Sequence, residues 1–415
     1  MPKAADNIIM KISAKEILDS RRYPTIEVAL TSGSAKLLAS VPSGVSTGKY
    51  EAEELRDKDG RGVKKAIENI EKIIAPALAK EDLLDQKRID KILIQLDGTK
   101  NKSKLGANAI LAVSIAACRA GAKAKKLPLY SYLAQLAGES SSFKKMPNPS
   151  FNMIEGGTHS AGSGLAFQEF MVVPQKENFQ ENLKAGKAIY RELKKILEKK
   201  FGNKNVKLSA EGAFAPPVKR ISEALDFILE AGERAGQKGN FKIALDAASS
   251  EFFENNYYKA EGNLFSKKEL LGFYESLVKK YSIISVEDPF QESDFESFAG
   301  LKKQLKSRAV IFGDDLTVSN VSRMELARDN KSISGLILKP NQIGTVTETL
   351  AAAKMAKNFG WKIMVSNRAG ETMDDFIADL AVGIGADFIK SGAPFPKERM
   401  AKYNRLSVIE KELGR

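Results

Sequence analysis

A single cysteine, Cys118, and a single histidine, His159, occur in the 415 residues of this chain. One cysteine excludes any intramolecular disulfide and fits a reducing compartment. Met1 to Ser20 has isolated charges and no apolar stretch, so a secretory signal is not expected. Long hydrophobic runs are also missing. The longest, Ala107 to Cys118, is too short for a bilayer and predicts a buried helix. Low-complexity tracts and internal repeats beyond a strand–helix period are lacking as well. Together these absences predict a cytoplasmic protein with no membrane partner. Basic residues exceed acidic ones, 65 to 52, for a net charge of +13. The lysines are spread over helix surfaces, as in Glu192 to Lys200, so a solvated surface is expected and no nucleic-acid partner. A positive field of this kind would steer a small anionic substrate inward.

What the chain does contain is a ladder of short apolar runs, each ending in a charged or amide residue. Ile243-Ala244-Leu245 ends at Asp246, Ile283 to Val286 at Glu287, and Val310 to Gly313 at Asp314. Leu336-Ile337-Leu338 ends at Lys339, Ile363 to Ser366 at Asn367-Arg368, and Phe388-Ile389 at Lys390. Helical stretches such as Glu325 to Asn330 and Gly344 to Phe359 lie between them. Short apolar runs alternating with helices predict parallel strands joined by crossovers. Polar residues at successive carboxyl ends predict a (β/α) barrel with its site on that face. Asp246, Glu287 and Asp314 are hard oxygen donors of the kind that suits Mg²⁺. Lys339, Lys390 and Arg368 at the same mouth predict an anionic ligand. A lysine beside a divalent cation has its ammonium form disfavoured and becomes a candidate base.

The length predicts two domains, one a barrel of roughly 250 residues. Ile8 to Leu18, Thr25 to Leu30 and Ala35 to Ala39 read as strands, with Ser32-Gly33-Ser34 as a hairpin turn. Gly62 to Ala79, Asp85 to Leu96 and Leu105 to Lys125 read as helices, the last with one apolar face. These make a small α+β cap over residues 1–138, followed by the barrel over 139–415. The Ser-, Lys- and Pro-rich stretch Gly138 to Pro149 marks the boundary. Three further segments are candidates for the site. Val41 to Gly48 is a Gly/Ser loop able to approach a ligand. His159 sits in a Gly-rich loop shortly before Gln168-Glu169, and Glu211 lies in a tight turn.

Together these residues resemble the enolase family, over nearly the whole chain. The stretches that carry the resemblance are Val41 to Gly48, Leu105 to Ala116, Gln168 to Met171, Ala244 to Phe252 and Val286 to Phe290. It continues through Gly313 to Leu316, Lys339 to Gly344, Gly370 to Thr372 and Ile389 to Pro394. Each motif alone is weak to moderate, but their order and spacing are specific. The resemblance implies a small α+β domain on a modified (β/α)₈ barrel, usually as a homodimer. It implies Mg²⁺-dependent dehydration of 2-phosphoglycerate to phosphoenolpyruvate. The superfamily's known chemistry pairs a lysine or histidine base with Mg²⁺. By this resemblance Lys339 is the base and Glu211 the acid, with Glu169 orienting the departing hydroxyl. Lys390 supports the substrate carboxylate, Gln168 contacts the substrate and Arg368 holds its phosphate. Asp246, Glu287 and Asp314 hold one Mg²⁺, and Ser46 completes a second. His159 joins the catalytic and substrate-contacting candidates.

Departures from the family pattern gather at the same site. The usual Ser-His-Arg-Ser is Ser366-Asn367-Arg368-Ala369, so the substrate-binding positions Asn367 and Ala369 lack an imidazole and a hydroxyl. A usual Asp is Ala210, a usual Gly is Ala213, and a usual Asn before Gly-Gly is Glu155. The early Arg-Gly-Asn-Pro-Thr reads Arg21-Arg22-Tyr23-Pro24-Thr25, and Arg-Ser-Glu-Arg reads Pro396-Lys397-Glu398-Arg399. Three readings stay open: the family's own dehydratase, a paralogue acting on another acid, and a non-catalytic binding protein.

Overall fold

The computed structural model describes residues 7–44, 48–139, 145–160 and 163–414. The first unit opens with an antiparallel sheet of β1 (Lys11–Leu18), β2 (Pro24–Ser32) and β3 (Ala35–Ser40). Gly33 takes the left-handed conformation that the two-residue hairpin turn requires, with φ of 53°. The expected helix over 62–79 is present but not uniform. Helix α1 (Lys64–Asn69) passes through a π-helical stretch, Ile70–Ile74, into α2 (Ala75–Leu78). Pro76 has no N–H to give to the preceding turn, and the widened turn before it absorbs the missing bond.

Helix α3 (Gln86–Asp97) starts where the Asp85 carboxylate accepts the Arg88 N–H at 3.0 Å. Helices α4 (Ala107–Ala124) and α5 (Leu129–Ala137) complete the unit. Helix α4 is buried on nearly every side, not on one face as its periodicity suggests. It is sandwiched between β2 and β3 on one side and barrel helices on the other. Ala109, Ala112, Ala116 and Ala117 let both layers approach closely.

The second unit is a closed ring of eight strands. In chain order come β4 (Asn148–Glu155), β5 (Glu169–Pro174), α6 (Phe179–Phe201), the short pair β6 (Lys207–Leu208) and β7 (Phe214–Ala215), and α7 (Ile221–Arg234). Next are β8 (Phe241–Asp246), a small meander of β9 (Phe253–Glu254), β10 (Tyr257–Ala260) and β11 (Asn263–Phe265), then α8 (Lys267–Lys280). From there strands and helices alternate: β12 (Ile283–Glu287), α9 (Phe295–Leu305), β13 (Val310–Gly313), α10 (Val321–Asp329) and β14 (Gly335–Leu338). A short α11 (Pro340–Ile343), α12 (Val346–Asn358), β15 (Lys362–Ser366), α13 (Phe376–Gly383), β16 (Phe388–Lys390) and α14 (Lys397–Glu412) finish the chain.

The ring runs β4-β5-β8-β12-β13-β14-β15-β16, and β16 pairs with β4 to close it. Seven strands are parallel in sense, whereas β5 is antiparallel to both β4 and β8. The ladder of strand ends read from the sequence is therefore real, and the reversed strand is an addition to it.

Period-two alternation decides what points into the ring. Met171, Val173 and Ala244 form one buried apolar cluster there, and Phe312, Ile337 and Met364 another, with Phe388 packed against both. Two residues beyond Ala244, Phe312, Ile337 and Phe388 stand Asp246, Asp314, Lys339 and Lys390. The same alternation that seats the apolar plug therefore delivers the charged groups to its top.

The two units are bolted together. Asp90 of α3 accepts the Thr347 N–H at 2.8 Å and its hydroxyl at 2.6 Å, capping α12 from the other unit. Ser114 of α4 accepts the Val346 N–H at 2.9 Å. Arg119 pairs with Asp374 at 2.6 Å and with Asp375 at 3.0 Å. Among the described residues no helix is long and apolar enough to cross a membrane.

Candidate active site

At the carboxyl end of the ring lies a polar cleft. It receives its side chains for a topological reason. Seven parallel strands bring their carboxyl ends there, and antiparallel β5 brings its first residue. The register places Glu169 directly opposite Asp246 of β8 and Glu155 of β4.

Lys390, at the end of β16, is the electrostatic hub. Its ammonium group donates to Glu287 at 2.8 and 2.9 Å, to Glu169 at 2.9 Å and to Asp246 at 3.2 Å, and all four residues are buried. Burial alone would lower the lysine's pKa, but Glu169, Glu287 and Asp246 outweigh it and hold the value well above the ordinary one. Burial and the Asp246 charge push the Glu287 carboxyl well up despite Lys390. Burial also raises Asp246, opposed by Lys390 and reinforced by Glu169.

Lys339, just past β14, makes a very short ion pair with Asp314 at the end of β13. Burial opposes the Lys339 ammonium, yet Asp314 keeps its pKa above the usual lysine value. The carboxyl of Asp314 is correspondingly depressed: burial works against ionisation and Lys339 overcomes it. Gln342 donates to the other Asp314 oxygen at 2.8 Å, and Gln168 donates to Asp246 at 3.3 Å.

Glu211 and Arg368 reach the cleft from opposite directions in the chain. Glu211 sits in the turn between β6 and β7 and accepts the Asn367 amide N–H at 2.8 Å. Its other oxygen is buried without a hydrogen-bond partner among the described residues. Arg368 follows β15, and its guanidinium donates to Glu51 of the first unit at 2.8 and 3.3 Å. Asn341 accepts from it at 3.2 Å. The turn carrying Arg368 and Ala369 is fixed by buried Arg399, which donates to their carbonyls at 2.7 and 2.6 Å.

One walled site thus gathers Gln168, Glu169, Glu211, Asp246, Asp314, Lys339, Asn367, Arg368, Ala369 and Lys390. Glu287 lies behind Lys390 and is reached through it. Asn367 turns its amide to Glu211, so its place is at the acid end of the cleft. For His159 the backbone forms part of a 3₁₀ turn, Gly157–His159, while its side chain lies outside the described residues, as does Ser46.

Sequence reading missed Glu51, Asp288 and Asp315, which also line the cleft. Asp288 follows β12 in a left-handed conformation, with φ of 40°. Its oxygens accept the N–H groups of Asp314 at 3.0 Å and Asp315 at 2.7 Å, which fixes the β13 turn. Burial and the Asp314 charge push Asp315 up to about 8. Oxygens of Asp288, Asp314 and Asp315 lie within 4.8 Å of one another. Asp246 and Glu287 are instead gathered around Lys390. Every one of these donors is a carboxylate oxygen, and burial, reinforced by neighbouring carboxylates, raises Asp246, Glu287, Asp288 and Asp315. The donor set fits a hard divalent cation and offers no soft ligand. For Asp288 and Asp315 the available signal was their adjacency to Glu287 and Asp314 in sequence, and Glu51 had none of that kind.

Comparison with known families places this geometry. Residues 143–415 match the enolase C-terminal TIM barrel domain, and residues 9–133 match the enolase N-terminal domain. The chain belongs to the enolase family. Enolase-type architecture accounts for the small α+β unit seated on the closed barrel, and the family assignment supports a lyase of this superfamily. An enolase-family site commonly works with Mg²⁺, in keeping with the all-oxygen donor set.

Proposed function

We propose that this enolase-family chain dehydrates 2-phosphoglycerate to phosphoenolpyruvate with Mg²⁺ as cofactor. The observation that supports it most is the meeting of Lys339, Glu211 and Arg368 in one cleft floored by Asp246, Asp314 and Lys390. That set offers a base, an acid and an anion-binding group around a cation-seeking floor.

Asp246, Glu287 and Asp314 would hold the Mg²⁺. Bound there, it would supply Lewis-acid charge to the substrate carboxylate, and its positive charge would disfavour the proton on Lys339. Lys339 removes the proton from the carbon beside the carboxylate. Lys390 stands by with a permanent positive charge for the negative charge that builds on the carboxylate. Glu211 donates its proton to the departing hydroxyl, which leaves as water while the carbon–carbon double bond forms. Glu169 holds Lys390 in place through their 2.9 Å pair. Arg368 takes the phosphate in its guanidinium fork once the fork is released from Glu51.

Lys339→Ala should stop exchange of the substrate C2 proton with solvent. Glu211→Gln should permit exchange and block loss of the hydroxyl. Equal loss of exchange in both variants would refute the division of roles. A second reading has one observation in its favour: Asn367 and Ala369 change the pocket beside Arg368, as expected of a paralogue acting on a different acid. Turnover of a non-phosphorylated hydroxy acid, with none of 2-phosphoglycerate, would establish it.

A further inference from the structure

Glu155 is a fully buried carboxylate outside the cleft, and the reaction proposed above makes no use of it. It is the last residue of β4 and stands opposite Glu169 in the β4–β5 register. One of its oxygens, Oε2, accepts Asn152 Nδ2 at 3.2 Å and, at very short range, the Ser209 hydroxyl. Ser209 in turn opens the tight turn that carries Glu211. Its Oγ accepts the backbone N–H of Glu211 at 3.2 Å.

While the Glu155 carboxyl is ionised it only accepts, so the one Ser209 hydroxyl hydrogen points to it. That leaves an oxygen lone pair facing the Glu211 N–H. The remaining backbone groups of the turn are held elsewhere: Ala393 N–H binds the Glu211 carbonyl at 3.0 Å, and the Tyr190 hydroxyl binds the Gly212 carbonyl at 2.6 Å. Gly212 itself has φ of 80°, and a side chain there would collide with Pro396 at 2.2 Å. Every side of the Glu211 turn is therefore clamped, and the Glu155–Ser209 link is the clamp on its N–H.

We infer that Glu155 is a positioning residue for Glu211: through Ser209 it orders the turn so that the free Glu211 oxygen faces the cleft. A neutral amide at this position would be cheaper to bury, since a buried carboxylate carries the larger desolvation cost. An amide can also donate. It could reverse the Ser209 hydroxyl, whose Oγ keeps a lone pair for the Glu211 N–H but whose hydrogen then has no single acceptor to hold it in place. A carboxylate holds that hydrogen in one direction.

The inference rests on Glu211 being the acid, so its test has two separate readouts. Amide hydrogen exchange over residues 209–215 reports the clamp whatever the substrate is. Ser209→Ala and Glu155→Gln should each speed exchange of the Glu211 amide, and unchanged protection in both would overturn the inference. With 2-phosphoglycerate, each variant should lower kcat for elimination roughly five- to tenfold, leaving KM and C2-proton exchange near those of the parent. The double variant should be no worse than Ser209→Ala alone, because both changes break one chain of bonds. Additive losses, or equal losses of exchange and elimination, would assign Glu155 to general stability and overturn the inference. Inactivity of the parent protein on 2-phosphoglycerate would defeat the functional reading only, and the amide measurement would still decide the clamp.

Discussion

Replacing Lys390 with Met tests the electrostatic logic of the whole site. Lys390 is almost fully buried, and its ammonium group bonds Glu169, Asp246 and Glu287 at 2.8 to 3.2 Å. Met fills similar space with no charge, so packing is nearly conserved and the lost item is the countercharge. Removing one partner of a buried ion pair typically costs about 3–5 kcal/mol, because the other is left buried and uncompensated. Here three carboxylates are left, but they can relieve the cost by binding protons, since burial already raises Glu287 and Asp246. We therefore expect about 3–5 kcal/mol at pH 8 and a visibly smaller loss at pH 6. At about 2–4 °C per kcal/mol, the pH 8 value is a drop in Tm of about 6–20 °C. The assay is thermal unfolding of chelator-treated parent and variant, each repeated with excess MgCl₂. Magnesium at about 100 times its Kd adds about 2.7 kcal/mol to a protein that binds it only when folded. The variant, with more uncompensated charge, should bind more tightly and gain more, so the gap should narrow. A metal-free variant as stable as the parent, or a gap that widens with magnesium, would refute the reasoning.

Three further outcomes follow from the same structure. Asp315 is raised to about 8, and Glu287 and Asp246 are raised as well, so each adds stability below the ordinary carboxylate pKa that is lost as pH rises through its folded value. The metal-free protein should thus lose stability between about pH 4 and pH 8, and the Tm gain from magnesium should be larger at pH 8 than at pH 6 because protons compete for the same oxygens. Asn367→His with Ala369→Ser should raise 2-phosphoglycerate turnover about tenfold, the worth of a regained hydrogen bond to a charged group; steady-state assays showing no change would remove these positions from the substrate's reach. Asp90→Ala strips the α12 cap and leaves the Thr347 N–H and hydroxyl without their acceptor, which should cost about 2–4 kcal/mol in urea unfolding, while a loss under about 0.5 kcal/mol would show the units are held by other contacts.

The ladder of strand ends was legible in the residues themselves. Short apolar runs ending in Asp246, Glu287, Asp314, Lys339, Arg368 and Lys390 encode both the strand period and the face on which the charges emerge. Local rules also sufficed for the Gly33 hairpin, because it depends on residues adjacent in the chain. Tertiary structure alone decided the rest. The reversal of β5 brings Glu169 to the catalytic end by its first residue, and no local pattern distinguishes an antiparallel strand from a parallel one. The grip of Glu51 on Arg368 joins residues 317 positions apart, and the clamp of Arg119 on Asp374 joins residues 255 apart. Burial of α4 was legible in the apolar run Ala107 to Cys118, but which two layers cover it was not. Lys390 was readable as a cation at the mouth, but only closure of the ring shows that it holds three carboxylates at once. Composition and period determine what each segment presents; the meeting of those segments is a property of the closed barrel.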